Sequence, residues 1–115
     1  YEIAKILKIE SIFAERVDGI FKLRRGFEIK KNQKVLIIED VITTGKSSLE
    51  CAEIITKYSA NLIGYGCIID RSNGKSLIKK NIVSQVQINI PTYTSDKIPK
   101  HLSKIDPIKP GSRKL

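Results

Sequence analysis

One segment of this 115-residue chain, residues 35–48, carries the residues best suited to chemistry. Its first four residues, 35–38, are all apolar, and such an unbroken run predicts a strand covered on both faces, as in a parallel sheet. Two adjacent acids, Glu39 and Asp40, end the run. Ligands bind at the carboxyl ends of strands in open α/β sheets, so the segment predicts a binding site there.

A turn of small hydroxyl residues follows the two acids and opens a predicted helix at residues 46–58. Backbone N–H groups at a helix N-terminus and the helix dipole favour bound phosphate. Gly45 permits close approach of the backbone, and Thr44, Ser47 and Ser48 offer hydroxyl donors. Carboxylates beside a phosphate site fit a sugar phosphate, because they can accept hydrogen bonds from the sugar hydroxyls. They can also offset the positive charge that develops on the sugar ring in an oxocarbenium-like transition state.

Two other interpretations of this turn are simpler. In an ordinary strand-to-helix loop, Ser47 and Glu50 would form a capping box at the helix N-terminus. A Walker A phosphate loop is excluded, because Asp40 stands where that motif requires its first glycine.

The neighbouring elements predict an α/β fold with a central, mainly parallel sheet. Leu49, Ala52 and Ile55 form an apolar stripe on the helix, and residues 61–69 form the next buried strand, which ends at Asp70. Strand, helix and strand make a βαβ unit with a right-handed crossover. We expect a single domain over residues 1–115. The other predicted elements are a helix end at 1–8, a hairpin of strands 11–15 and 20–23, strands at 27–29 and 83–90, a short helix at 76–80 and a helical turn at 96–103.

Composition limits the classes of function. The net charge is +9, which fits either a solvated, Lys-rich surface or a site for an anionic ligand. Scattered lysines, few aromatic residues and no nucleic-acid-binding motif argue against nucleic acid, and no apolar run is long enough for a membrane span. Cys51 and Cys67 match no zinc spacing and are expected to be buried thiols, whereas His101 is expected at the surface. The chain has no Met, so we expect it to lack an N-terminal part.

Residues 35–48 resemble the phosphoribosyl pyrophosphate motif of type I phosphoribosyltransferases, which have a Rossmann-like fold. Thr43 occupies a position where hypoxanthine-guanine enzymes have Asp and orotate enzymes usually have Thr. Segments 13–16, 23–27, 69–71 and 109–113 look like the C-terminal part of the Thermus-type subgroup of orotate phosphoribosyltransferases.

The resemblance implies transfer of ribose-5-phosphate from phosphoribosyl pyrophosphate to orotate, giving orotidine 5′-monophosphate and pyrophosphate in pyrimidine biosynthesis. It also implies a cytoplasmic homodimer that uses Mg²⁺, bound mainly through the phosphoribosyl pyrophosphate rather than by protein ligands. The alternatives are another nucleobase phosphoribosyltransferase and a non-catalytic regulator of the same fold that binds phosphoribosyl pyrophosphate.

Residue roles also follow from the resemblance. Catalytic roles fall to Glu39 and Asp40, which would hold the ribose hydroxyls, and to Arg16, which would contact the pyrophosphate of the donor. Arg71 would pair with the carboxylate of orotate. The implied substrate-binding set comprises Arg16, Arg24, Arg25, Glu39, Asp40, Val41, Ile42, Thr43, Thr44, Gly45, Lys46, Ser47 and Arg71.

The hairpin departs from the family pattern. Many orotate enzymes have a long mobile loop there, which is rich in Lys and ends near a His. Here residues 17–22, which follow Arg16, form a short hairpin that lacks those Lys and His residues. Lys22, Arg24 or Arg25 would have to supply the cationic clamp, and the Arg24-Arg25 pair is preferred. Outward-facing arginines and a solvated turn residue at Arg71 are the structural alternatives.

Overall fold

The computed structural model describes residues 1–106 and 108. Helix α1 (Glu2–Leu7) precedes an antiparallel hairpin of β1 (Ala14–Val17) and β2 (Ile20–Leu23). Strand β3 (Lys34–Ile42), helix α2 (Lys46–Lys57), strand β4 (Asn61–Asp70) and strand β5 (Ile82–Gln87) follow, and then a 3-10 turn at Ser95–Lys97. The three later strands form a sheet in the order β3-β4-β5, and both pairings are parallel. This confirms the predicted α/β class and parallel sheet.

The hydrophobic core lies between α2, the hairpin and one face of the sheet. Ile54 and Ile55 of α2 are buried together with Ile37, Tyr65 and Cys67 of the sheet. The predicted stripe on α2 is confirmed, since Leu49 and Ala52 also pack against this core. Burial of this apolar face is what stabilises a helix of this length.

Strand β3 differs from its prediction in two respects. Leu36 and Ile38 remain 40% and 43% exposed, so the described residues cover only one of its faces. The strand also continues past Glu39 and Asp40 to Ile42, because parallel pairing persists as far as Ile42↔Asp70. The two acids therefore lie within the last residues of β3 rather than in a loop after it.

Several smaller predictions were wrong. Residues 27–29 are not a strand, because the left-handed Arg25 (φ 58°) and Gly26 (φ 72°) turn the chain away and Ile29 enters the core instead. Residues 76–80 are not helical, because their backbone bonds back to the turn before α2. The first hairpin strand begins and ends later than predicted, and β5 is shorter. The segment 109–113 lies outside the described residues.

The predicted environments of Cys67 and His101 agree with the described structure, whereas Cys51 is less buried than predicted. Both thiols are free, with Cys67 buried and Cys51 half-buried, and His101 is exposed. In the part of the chain that the structure describes, no helix has the length and apolarity needed to cross a membrane.

Candidate functional site

A depression of about 190 Å³ at the carboxyl end of β3 is lined by residues 39–48. Strand β3 delivers the first four of these residues and α2 holds the last three, so the site is fixed between two packed elements. Most of the predicted binding residues have exposed side chains here: Asp40, Val41, Thr43, Thr44, Lys46 and Ser47. Ile42 is only 2% exposed, so it can offer a ligand nothing but backbone groups.

The two acids occupy different environments because successive residues of a strand point to opposite faces. Glu39 is half-buried on the α2 side, where its Oε1 accepts a hydrogen bond of 3.2 Å from the Ser48 hydroxyl. Asp40 is exposed, and its Oδ1 accepts a 2.7 Å hydrogen bond from the N–H of the next residue, Val41. Asp40 thus keeps carboxylate acceptor capacity for a ligand.

The N-terminus of α2 is suited to an anion. Gly45 is the N-cap residue, no side chain caps the helix, and no acidic residue lies in its first turn. The alternative capping box of Ser47 and Glu50 does not form, because Gly45 rather than Ser47 is the N-cap residue and Glu50 pairs with Arg16. A weak 3.4 Å hydrogen bond from the Lys46 N–H to Thr44 Oγ1 is the local side-chain contact. The first-turn N–H groups and the positive end of the helix dipole therefore face the depression.

The segment after β4 braces this turn, a role that was not recognised in the sequence. The Leu77 N–H donates a 2.9 Å hydrogen bond to the Thr44 carbonyl, and Ile78 is buried beneath. A Cβ on Gly45 would lie 2.7 Å from Ser76 Oγ and 2.8 Å from Ile78 Cγ1. Only glycine fits this contact, and its φ of 78° independently favours glycine.

Arg71 is brought to the same edge of the sheet. Its N–H donates a 2.8 Å hydrogen bond to the Ile42 carbonyl, which links it to the end of β3. Its Nε is buried and has no hydrogen-bond partner among the described residues. A buried donor without a partner is uncommon in native proteins. The preceding residue, Asp70, is buried and accepts a 2.7 Å hydrogen bond from the Ser72 N–H.

Arg16 is held beside α2 by three contacts. Its Nη2 lies 2.5 Å from Glu50 Oε2, its Nη1 donates to the Gly19 carbonyl, and its guanidinium stacks 4.2 Å from the ring centre of Phe21. The side chain is nevertheless 39% exposed. The structure therefore places Arg16 at the turn end of the hairpin, against the second turn of α2.

Arg24 and Arg25 lie at the opposite end of the hairpin. Both form ion pairs with Glu15, at 3.5 Å and 2.7 Å, and both are more than half exposed. The Arg25 guanidinium also lies 5.1 Å from the ring centre of Phe13. Neither residue lines the depression at residues 39–48, and Lys22, opposite Glu15 in the hairpin, is likewise outside it. Their predicted clamp role stays a prediction.

The pKa of the Cys51 thiol, on α2, responds to the charged groups around it. Burial, together with the carboxylates of Glu39 and Glu50, raises its pKa to about 11, and the nearby Arg16 partly opposes this increase in the pKa. These groups thus surround one another on the inner side of the site. Within the described ranges, no three His, Cys, Asp or Glu side chains are grouped so that they could hold a metal ion.

Comparison with known proteins agrees with this geometry. The family model "Phosphoribosyl transferase domain" matches residues 3–102. The chain is 44% identical, over all 115 residues, to the orotate phosphoribosyltransferase of Parvibaculum lavamentivorans and covers 59% of that protein. It is 47% identical to the Caldicellulosiruptor saccharolyticus orotate phosphoribosyltransferase and 44% identical to that of Caldanaerobacter subterraneus, covering all of this chain and 60% of each relative.

The chain thus spans about three fifths of the length of the curated relatives it matches. The matched region contains the whole depression, both acids, the uncapped helix N-terminus and Arg71. The parallel sheet, the depression at the carboxyl end of β3 and the family match over most of the sequence lead to one conclusion: the chain belongs to the phosphoribosyl transferase domain family.

Proposed function

We propose that the protein containing this chain is an orotate phosphoribosyltransferase, which transfers ribose-5-phosphate from phosphoribosyl pyrophosphate to orotate in pyrimidine biosynthesis. One observation carries the proposal: a single depression has exposed carboxylate at the end of β3 and an uncapped helix N-terminus. Its relatives that share 40–47% identity are named orotate phosphoribosyltransferases.

The phosphate end of the substrate is assigned to the turn before α2. The N–H groups of Gly45, Lys46 and Ser47 face an anion, and the side-chain hydrogen bond described among them is the weak 3.4 Å contact from Lys46 to Thr44 Oγ1. The exposed hydroxyls of Thr44 and Ser47 add donors, and Lys46 adds positive charge. Because the turn is braced from below through Gly45, these donors are held in place before the ligand arrives, which reduces the cost of binding.

The ribose is assigned to the two acids. Asp40 is exposed and can accept hydrogen bonds from the ribose hydroxyls, while Glu39 is oriented by Ser48. Departure of pyrophosphate leaves positive charge on the sugar ring, and nearby fixed carboxylates stabilise that charge. The same carboxylates thus both hold the ribose and favour the transition state.

Orotate is assigned to Thr43 and Arg71. Thr43 offers an exposed hydroxyl beside the acids. It cannot act as a general base, and the orotate anion needs none to attack the sugar carbon. A guanidinium binds a carboxylate with two parallel hydrogen bonds, and Arg71, which follows the end of β4, is hydrogen-bonded through its backbone N–H to the end of β3.

Mg²⁺ would enter this site bound to the phosphates of phosphoribosyl pyrophosphate. The described residues provide no cluster of three acidic, His or Cys ligands, and Mg²⁺ binds readily through substrate phosphates while keeping several waters. When bound, it would neutralise the charge of the departing pyrophosphate. We further propose a cytoplasmic homodimer, as the resemblance implies.

The test is turnover by the complete protein. Phosphoribosyl pyrophosphate and Mg²⁺ are supplied with orotate, hypoxanthine, guanine or adenine in separate reactions, and nucleotide products are separated by chromatography. We expect orotidine 5′-monophosphate only with orotate. Product from a purine instead would assign the protein to another nucleobase. Binding of phosphoribosyl pyrophosphate without product from any base would indicate a regulator.

A further inference from the structure

We propose that Glu50 is a positioning residue that fixes the direction of the Arg16 guanidinium for the pyrophosphate group of the donor. This inference rests on the proposed function and on the role that the family resemblance implies for Arg16, which would contact that pyrophosphate. Glu50 itself touches no substrate in this proposal. It acts through Arg16.

The location of Glu50 sets the geometry. It lies four residues after Lys46, the first residue of α2, and therefore one helical turn from the phosphate-binding end. Side chains on a helix lean toward its N-terminus, so the Glu50 carboxylate is directed along α2 toward the site. Its side chain is 28% exposed, which reduces solvent screening of the ion pair.

Three different contacts constrain the guanidinium of Arg16. The Glu50 carboxylate and the Gly19 carbonyl each accept one N–H, and the Phe21 ring covers one face of the plane. These contacts use two of the five N–H donors of an arginine. The remaining donors are thereby given a fixed direction, whereas a long, half-exposed Arg side chain would otherwise sample many rotamers.

The hairpin does not depend on Glu50 for its docking. Phe21 and Leu23 of β2 pack against the buried core, so shortening Glu50 removes the orientation of Arg16 without releasing the strands. Loss of the carboxylate therefore changes the ligand site more than the fold.

The sign of the effect separates positioning from simple electrostatics. Removing a negative charge near an anion site strengthens anion binding if the charge acts only through the field. Removing a residue that orients the cationic ligand-binding group weakens binding instead. Glu53, exposed on the same helix three residues further on, provides a control with the same change of charge.

The experiment uses the complete protein and the variants Glu50→Ala, Glu50→Gln and Glu53→Ala. Binding of inorganic pyrophosphate with Mg²⁺ is measured by calorimetry without orotate, and KM values for both substrates are measured where turnover exists. We expect Glu50→Ala to weaken pyrophosphate binding and raise the donor KM about tenfold. Glu50→Gln, which keeps a hydrogen-bond acceptor, should lose about threefold. The KM for orotate and the affinities of Glu53→Ala should not change.

An Arg16→Ala background provides a second criterion, because a residue that acts through Arg16 has no further effect once Arg16 is removed. Tighter or unchanged pyrophosphate binding in both Glu50 variants would overturn the inference while leaving orotate turnover intact. Conversely, weakened pyrophosphate binding in a protein that does not turn over orotate would support the positioning role and remove the proposed function. If Glu50→Ala fails to fold, Glu50→Gln alone decides, since it preserves side-chain shape.

Discussion

The hydroxyl of Ser48 donates a 3.2 Å hydrogen bond to the carboxylate of Glu39, joining the first turn of α2 to the end of β3. Ser48 is only 2% exposed, so it orients the acid and does not reach the ligand. Its neighbour Ser47 is exposed at the rim of the depression. The two adjacent serines therefore have different roles: Ser48 orients Glu39, and Ser47 faces the ligand site.

Replacing each serine with alanine should separate these tasks. Ser48→Ala removes the partner of a half-buried carboxylate and should lower the free energy of unfolding by about 1 kcal/mol. Ser47→Ala should leave stability within about 0.5 kcal/mol while raising the KM for phosphoribosyl pyrophosphate. Denaturant unfolding and steady-state kinetics measure the two effects. Equal stability of both variants would contradict the assignment of Ser48.

Gly45→Ala should disrupt the phosphate turn. The new Cβ would lie 2.7 Å from Ser76 Oγ and the residue would keep a φ of 78°, so both overlap and backbone strain oppose it. We expect a loss of about 2–4 kcal/mol of stability together with loss of donor binding.

Gly74→Ala is the matched control. It has a similar φ of 71° but nothing within 4 Å of the added Cβ, so strain alone should cost about 1 kcal/mol. Thermal unfolding of the two variants compares them directly, and similar losses would show that the contact with Ser76 and Ile78 is unimportant.

Asp40→Asn should lower turnover far more than stability. The side chain is exposed, and the hydrogen bond that it accepts comes from the backbone N–H of the next residue, Val41. The free energy of unfolding should therefore change by less than about 0.5 kcal/mol. Loss of a carboxylate that offsets developing charge should reduce kcat about 100-fold. Unchanged turnover in the complete protein would remove the role assigned to Asp40.

Arg71→Ala should raise the KM for orotate more than the KM for phosphoribosyl pyrophosphate. Loss of a charged hydrogen bond to the substrate carboxylate corresponds to about a 10- to 100-fold weaker interaction. Lys75→Ala, an exposed residue of the same segment, removes an equal charge and should leave both values unchanged. Equal increases for both substrates in Arg71→Ala would argue against the carboxylate pairing.

Alkaline pH should destabilise the chain through Cys51. Burial, with Glu39 and Glu50, raises the pKa of this thiol from 9.0 to about 11. The folded state therefore retains the proton that the unfolded state loses, so this contribution is complete below pH 9 and disappears as pH rises from 9 to 11.

Between these pH values, the free energy of unfolding should decline less in Cys51→Ala than in the parent chain. Iodoacetamide should also alkylate Cys51 more slowly in the folded chain than in urea at pH 8, because little thiolate is present. Equal rates in both states would contradict the raised pKa.

The sequence was most informative where local pattern and global fold agree. The apolar run of β3, the stripe on α2 and the acids followed by Gly45 predicted a parallel βαβ unit with a ligand site, and the structure has that unit. Local chemistry sufficed there because strand period, helix period and turn residues all indicated the same arrangement.

Other features depend on contacts between residues distant in the sequence. The bracing of Thr44 by Leu77 joins residues more than thirty positions apart, and it replaced the short helix predicted there. The pairing of Glu50 with Arg16 likewise joins residues distant in the sequence, and it is formed in place of the capping box considered as an alternative for Ser47 and Glu50. Neither partner choice is visible in a local pattern, because each depends on how the elements pack.

The hydrogen bond between Leu77 and Thr44 has a consequence for how this protein can diversify. The segment that begins with Arg71 also supports the turn assigned to the phosphate. A substitution between residues 71 and 78 that alters which base is accepted should therefore also displace the phosphate turn. We expect base preference and affinity for the ribosyl donor to evolve together, with compensating changes recurring at both ends of this one connection.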